Sequence, residues 1–261
     1  MLYKVEKPVI DDNRIAACFR RGLDSYDQSA SVQSQVAWQL AELLQQLCGA
    51  QTFSRIFEFG CGTGGLTKHL AEKFQFENFV ANDLVPECGA QIRDVIREAT
   101  FVPGAAQHIE LPDKLDLVAS SSAIQWIPSL DEFVPRLASK LNVGGWLALS
   151  GFGSQHFHQL QSLGSRAGAP SYTSETDLSS MLPSYMEIKL VSSAEITLEF
   201  DALAPMLRHL RDTGVNGRAD GQLTKANFAQ FEKDYFDRFA ANGIIPLTYQ
   251  PVWLVAQRIA D

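Results

Sequence analysis

The segment "RIFEFGCGTGGLTKHL", residues 55–70, constrains the fold of this chain more than any other. Residues 56–59 read as a short buried strand and 66–70 open a helix, so the glycines fall on the turn between them. Gly60, Gly62 and Gly65 satisfy G-x-G-x-x-G, while Gly60, Gly62 and Gly64 give the tighter G-x-G-x-G. Such a turn bends sharply and lets a ligand approach the backbone closely. The glycines alone leave the ligand open.

Around this unit, strands are expected at 54–59, 78–82, 115–120 and 146–150, separated by helices such as 86–97 and 131–141. That alternation means a parallel sheet with helices on both faces. Ahead of it, Val32, Val36, Leu40, Leu43, Leu44 and Leu47 recur at helical spacing, making 28–48 an amphipathic helix behind a shorter one around 13–22. After Gly151 the alternation stops. A helix over 174–182 opens with Ser174 and Asp177 at capping-box-like spacing, and strands follow at 187–191 and 195–200. Residues 201–212 and 224–241 read as helices joined by "TGVNGRADGQ", and "TYQPVWLVAQRI" returns as one last strand. The expected organisation is a single domain over 1–261: N-terminal helices covering the site (1–50), a cofactor-binding core (51–152) and a helical cap (201–245) over the carboxyl ends of the strands.

Composition narrows the function classes. The 261 residues, 46% hydrophobic, suffice for one large globular domain. No apolar run is long enough to span a bilayer and the first residues lack the apolar core of a signal peptide, so no membrane partner and a cytoplasmic location are expected. Four cysteines without a C-x-x-C pair fit reduced thiols. A net charge of -8 argues against nucleic acid as a partner. Basic residues nevertheless cluster at Arg14, Arg20 and Arg21 and again at Arg208, Arg211, Arg218 and Lys225, where a local positive patch would receive one anionic partner. His156 and His158, read as facing one side of a strand, lack a third ligand, so no metal is expected.

Two acids decide between ligands. Glu58 lies two residues before Gly60, where a pyrophosphate beside an ionised carboxylate would be unfavourable. S-adenosylmethionine carries no phosphate and presents an ammonium and a sulfonium, which a carboxylate attracts. Asp83 ends the second strand, placed to accept both ribose hydroxyls, although it would suit NAD equally well.

The pattern E-x-G-x-G-x-G with an acid closing the next strand resembles the class I S-adenosylmethionine-dependent methyltransferases over about 53–152. The resemblance implies an α/β, Rossmann-like fold: a mostly parallel seven-stranded sheet with an antiparallel last strand, with N-terminal helices and a helical cap added. Four further segments, "CFRRGLDSYDQSASVQSQVAWQL", "SSSAIQWIPSL", "LRHLRDTGVNG" and "PLTYQPVWLVA", are similar to the malonyl-[acyl-carrier protein] O-methyltransferases of biotin synthesis. That similarity implies methylation of the free carboxylate of a malonyl thioester, malonyl-acyl-carrier protein or malonyl-CoA, on the way to a pimeloyl chain; no obligate protein partner is expected. It implies cofactor contacts from Glu58, Gly60, Cys61, Gly62, Gly64, Asp83, Leu84, Gln107, His108 and Ser121, with Gln107 and His108 standing where the family has an acidic residue.

A malonyl carboxylate arrives ionised and needs no general base, so the enzyme must align it and exclude water. Tyr26 is the leading candidate to orient it. Arg208 is the second, either forking onto the carboxylate or meeting acidic residues of the carrier, with Gln125, Trp126 and Arg211 as substrate contacts. Cys61, Ser121 and Ser122 lack the neighbours that nucleophilic catalysis requires. Other acceptors for the same donor site, a small carboxylate or a quinone-like compound, remain open, as does a silent S-adenosylmethionine-binding sensor or scaffold. A nicotinamide dehydrogenase ranks below these.

Overall fold

Helix α3 (Ser31–Cys48) forms as its periodicity demands: Val32, Val36, Leu40 and Leu44 are buried along one stripe. Each such side chain contributes about 1.5–3 kcal/mol on burial, an upper figure for a chain already compact when unfolded. The stripe lies on the sheet, and Trp253 Nε1 donates to Val36 O at 3.1 Å. Before it come α1 (Asp12–Gly22) and the single turn α2 (Tyr26–Ser29). This structure is a computed structural model that describes residues 12–23, 26–165, 169–214 and 225–260. Arg218, most of the connector "TGVNGRADGQ" and the side chain of Lys225 lie outside the described residues.

From Thr52 the expected alternation appears as β1 (Thr52–Phe59), α4 (Gly65–Lys73), β2 (Gln75–Asp83), α5 (Cys88–Val95) and β3 (Thr100–Pro103). It continues through β4 (Leu115–Ser120), a 3-10 turn (Ile124–Trp126), α6 (Leu130–Ser139) and β5 (Leu141–Phe152). β3 is too short to show a period of its own and is held by parallel pairing from Val80 with Thr100 to Asp83 with Pro103.

The remainder comprises α7 (His158–Ser162), α8 (Glu175–Ser180), β6 (Met186–Ser193), β7 (Ile196–Phe200), α9 (Leu203–Asp212), α10 (Lys225–Phe239), β8 (Ile245–Tyr249) and β9 (Pro251–Arg258). Ser174 caps α8, its Oγ accepting from Asp177 N at 3.1 Å. Seven strands form one sheet in the order β3-β2-β1-β4-β5-β9-β6. Pairing is parallel from β3 to β5, and β9 runs antiparallel to both β5 and β6. This is the seven-stranded, Rossmann-like sheet the sequence resemblance implied.

Two local expectations are corrected. "TYQPVWLVAQRI" is two strands, not one: β8 pairs with β7 in a separate two-stranded ribbon, and β9 begins only after Gln250. Pro251 has no N–H to extend a ladder. Gln250 directs its own backbone elsewhere, its N–H donating to His156 Nδ1 at 3.2 Å and its carbonyl accepting from Gly153 at 2.8 Å. His156 and His158 do not share a strand face either. They sit on a turn and the start of α7, with His156 buried and His158 exposed.

Candidate active site

Three features bring the site together at the carboxyl ends of β1, β2 and β4. The first is the glycine turn. Gly60 adopts φ +62°, and a Cβ there would lie 2.3 Å from Ala123 Cβ, so only hydrogen fits between the β1 and β4 turns. A Cβ on Gly62 would meet nothing within 4 Å, which leaves its backbone open to a ligand.

The second feature is a pair of buried acids. Glu58 is 1% exposed at the end of β1, and its Oε2 accepts from Thr67 Oγ1 on α4 at 2.7 Å. Burial pushes its carboxyl up to about 8, the Thr67 hydrogen bond works against that rise, and Asp83 adds to it. Asp83, at the end of β2, accepts from Gly62 N through Oδ2 and from Val85 N through Oδ1, both at 2.8 Å. Burial raises its pKa against those N–H groups. Together they lock the glycine turn to the edge of β2, as does Cys61 N bonding to Asn82 O at 3.0 Å.

The third feature is the cavity itself, walled by the glycine turn, α1, α2, α3 and the turns after β2, β3 and β4. Asp12, Asp27, Glu58 and Asp83 line it, and no lysine, arginine or histidine does among the described residues. Leu84, Val85, Ala106 and Ile127 supply an apolar wall. This lining suits a cation with an apolar body and offers nothing to neutralise a pyrophosphate.

The structure gathers most of the sequence-predicted residues. Tyr26, Glu58, Gly60, Cys61, Gly62, Asp83, Leu84, Gln107, Ser121 and Trp126 all line the cavity. Gly64 lies behind the turn as the left-handed residue that starts α4. His108 is exposed and does not line the cavity, its Nε2 lying 3.9 Å from Asp12 Oδ2. Gln125 is buried and faces an adjoining recess. Arg208 and Arg211 are exposed on α9 and line neither space, Arg211 pairing with Asp212 at 3.2 Å.

Asp27 and Gln33 belong to the same wall, and Thr67 supports it through Glu58; none of the three was anticipated. Gln33 carried a signal, since it is a polar residue inside the buried stripe of α3. Asp27 holds the turn by accepting from Thr63 Oγ1 at 2.5 Å. Thr67 gave none, because its partner Glu58 is met only through the fold.

Comparison with known proteins agrees with this geometry. A family model described as "Methyltransferase domain" matches residues 57–149. A malonyl-[acyl-carrier protein] O-methyltransferase of Acinetobacter baylyi is 33% identical over 253 residues, covering 95% of this chain and 98% of that protein. The chain belongs to the malonyl-[acyl-carrier protein] O-methyltransferase family. A member from Chlorobium luteolum is 34% identical, covering 90% of this chain and 91% of its own. The Bacteroides fragilis member is 32% identical over 94% of this chain, which spans half (50%) of that longer protein.

Solved structures place the family's fold among relatives of diverse chemistry. A candidate methyltransferase of Bacillus halodurans superposes with a TM-score of 0.63 at 16% identity, over 85% of this chain and 99% of its own. The N-methyltransferase NodS of Bradyrhizobium japonicum, solved with S-adenosyl-L-homocysteine, gives 0.51 at 11% identity, over 85% and 86%. The [4+2]-cyclase SpnF gives 0.53 at 16% identity, over 87% and 83%. At these identities the likeness speaks for the fold, and the chemistry of this family member must be argued from its own side chains.

Proposed function

We propose that this chain transfers a methyl group from S-adenosylmethionine to the free carboxylate of a malonyl group carried on acyl-carrier protein, forming the methyl ester used in biotin synthesis. The observation that carries the reading is the carboxyl-lined, base-free cavity around the glycine turn. Glu58 and the turn would hold the donor's amino-acid end, Asp83 its ribose hydroxyls, and Leu84, Val85, Ala106 and Ile127 its adenine. When bound, S-adenosylmethionine would supply an electrophilic methyl, which passes to a carboxylate oxygen as the S–CH3 bond breaks and S-adenosylhomocysteine leaves as a neutral thioether.

The chain's own contribution is alignment and exclusion of water. The carboxylate is already ionised near neutrality, so no residue need remove a proton. Tyr26 projects into the cavity from α2, its phenol raised well above the usual range by burial, then by Asp83 and Asp27. It stays a neutral donor throughout the working pH range and orients the carboxylate without pairing with it as a cation would. Trp126, edge-on to Phe19 at 5.5 Å, closes the same mouth. The helices α1, α2 and α3, with α9 and α10 of the expected cap, act as covers in this reading.

Arg208 and Arg211 are assigned to the carrier rather than to the carboxylate. The ends of α1 and α9 adjoin, since a Cβ on Gly22 would lie 3.0 Å from Asp212 O. Arg21 and Arg211, each one residue before these positions, and Arg208 one turn earlier on α9 would form a basic edge suited to an acidic carrier, while Arg20 is held by Glu87 at 2.7 Å. Such chemistry, together with four free thiols, favours a cytoplasmic location.

Intact-mass spectrometry of malonyl carrier protein incubated with the chain and S-adenosylmethionine tests the proposal. A gain of one methylene is expected. No gain, with methylation of a different small acceptor under the same conditions, overturns it.

A further inference from the structure

A small recess adjoins the cavity, and its lining differs in kind. It shares Phe19, Tyr26, Gln33, Ser122 and Trp126 with the main cavity and adds Gln125, Phe152, His156, Ala169, Tyr172 and Thr213. None of these carries a carboxylate or a permanent positive charge. All four acids line the cavity; the recess holds only neutral polar groups and aromatic faces.

Its walls carry unsatisfied polar atoms. Gln33 and Gln125 are 8% and 4% exposed, and their Oε1 atoms, with Ser122 Oγ, have no hydrogen-bond partner among the described residues. Gln125 Nε2 donates to Ser122 O at 2.5 Å, which leaves its Oε1 as an acceptor without a donor, whereas Gln33 can present its oxygen or its NH2 by a half-turn of the terminal torsion. Unpartnered buried groups of this kind are costly in an empty fold and mark a place where a ligand completes the bonding. Backbone strain flanks the recess too: Ser122 and Phe157, next to His156, hold φ of +56° and +55° without being glycine.

His156 is the built element. Its ring lies on Phe152 with centroids 4.1 Å apart and meets Tyr172 edge-on at 5.0 Å. Nδ1 accepts the Gln250 N–H, so the ring proton resides on Nε2, for which no partner appears among the described residues. Burial holds the imidazole in its neutral form.

We propose that this recess is the acceptor pocket and that His156 Nε2–H, with Tyr26, seats the carboxylate of a short acyl thioester. The inference rests on the methyl-transfer reading above. Neutral donors suit this role because they fix an anion's orientation while leaving its oxygen nucleophilic, where a guanidinium fork would hold both oxygens in a strong ion pair. The cationic donor and the anionic acceptor are thus sorted by charge into adjoining spaces.

The test is steady-state methylation of malonyl carrier protein by the wild-type chain, His156→Phe and His156→Gln, with S-adenosylmethionine affinity measured by calorimetry. The phenylalanine keeps the ring stack and loses the donor; kcat/KM is expected to fall about 10- to 100-fold, the size of one hydrogen bond to a charged group. Donor affinity should stay within about twofold, and glutamine, which can donate, should recover most of the loss. Because His156→Phe also strips Gln250 of an acceptor, a wild-type measurement accompanies it: the histidine Nε2–H resonance, with S-adenosylhomocysteine bound, should shift on adding malonyl carrier protein. An active wild type with an unshifted resonance, or His156→Phe at full kcat/KM, overturns the acceptor assignment alone. A wild type that methylates no malonyl thioester overturns both readings.

Discussion

Glu58 on β1 and Thr67 on α4 share a 2.7 Å hydrogen bond in which the threonine hydroxyl donates to Oε2 of a buried carboxyl at the cavity wall. The bond crosses the glycine turn from strand to helix. It fixes the orientation of a carboxyl that burial keeps protonated to about pH 8, so a bound ammonium must expel that proton to gain an ion pair.

Binding of S-adenosylmethionine at pH 7 should therefore release close to one proton per site. Calorimetry in buffers of differing ionisation enthalpy measures this directly. Glu58→Gln should bind more weakly and release none; equal proton release by the variant would assign the linkage to another group.

Stability of the ligand-free chain follows with the opposite sense. Unfolded, Glu58 loses its proton near 4.5; folded, it keeps it to about 8. Between those values the native state binds more protons, so stability falls as pH rises through the window. Relative to Glu58→Gln, the wild-type Tm should drop by about 5 °C or more from pH 5 to pH 8.5. Parallel curves would contradict the raised carboxyl.

Gly60 and Gly62 should fail differently. Gly60→Ala adds a methyl 2.3 Å from Ala123 Cβ at a positive φ, and should cost at least about 3 kcal/mol in urea unfolding. Ala123→Gly should recover part of that loss. Gly62→Ala meets no atom and should cost only about 1–2 kcal/mol while weakening donor binding. Equal destabilisation by the two would mean that the turn packs otherwise.

Tyr26→Phe removes a hydroxyl that remains neutral in the working range. We expect kcat/KM on malonyl carrier protein to fall about 10-fold or more with donor affinity little changed. Unaltered kcat and KM would leave Tyr26 a packing residue.

The basic edge is tested by the carrier. Arg208→Glu with Arg211→Glu should raise KM for malonyl carrier protein about 10-fold at low salt, leave malonyl-CoA within about twofold, and lose its effect as salt rises. An equal change on both substrates would place these arginines elsewhere in the reaction.

That Glu58, the glycine turn and Asp83 come together at one cavity was legible in the chain because these parts are local. Glu58, the glycines and Asp83 fall within two strand–turn units, and each residue type has one structural consequence at its position. The recess proposed for the acceptor is assembled from Phe19, Gln33, Gln125, His156, Tyr172 and Thr213, drawn from six separate segments with no shared period. His156 even suggested a strand face, since alternation cannot reveal that Gln250 takes its Nδ1 from across the fold. The C-terminal strand misled similarly: "TYQPVWLVA" is uniformly apolar enough for one strand, and only the competing partners of Gln250 show where it divides.

Sorting the walls by charge also bears on how turnover ends. Esterification erases the anion that Tyr26 and His156 would hold, and leaves in the recess a neutral group larger by one methyl. The same side chains that welcome the acid have little grip on its ester, so discharge of the product is built into the choice of uncharged donors.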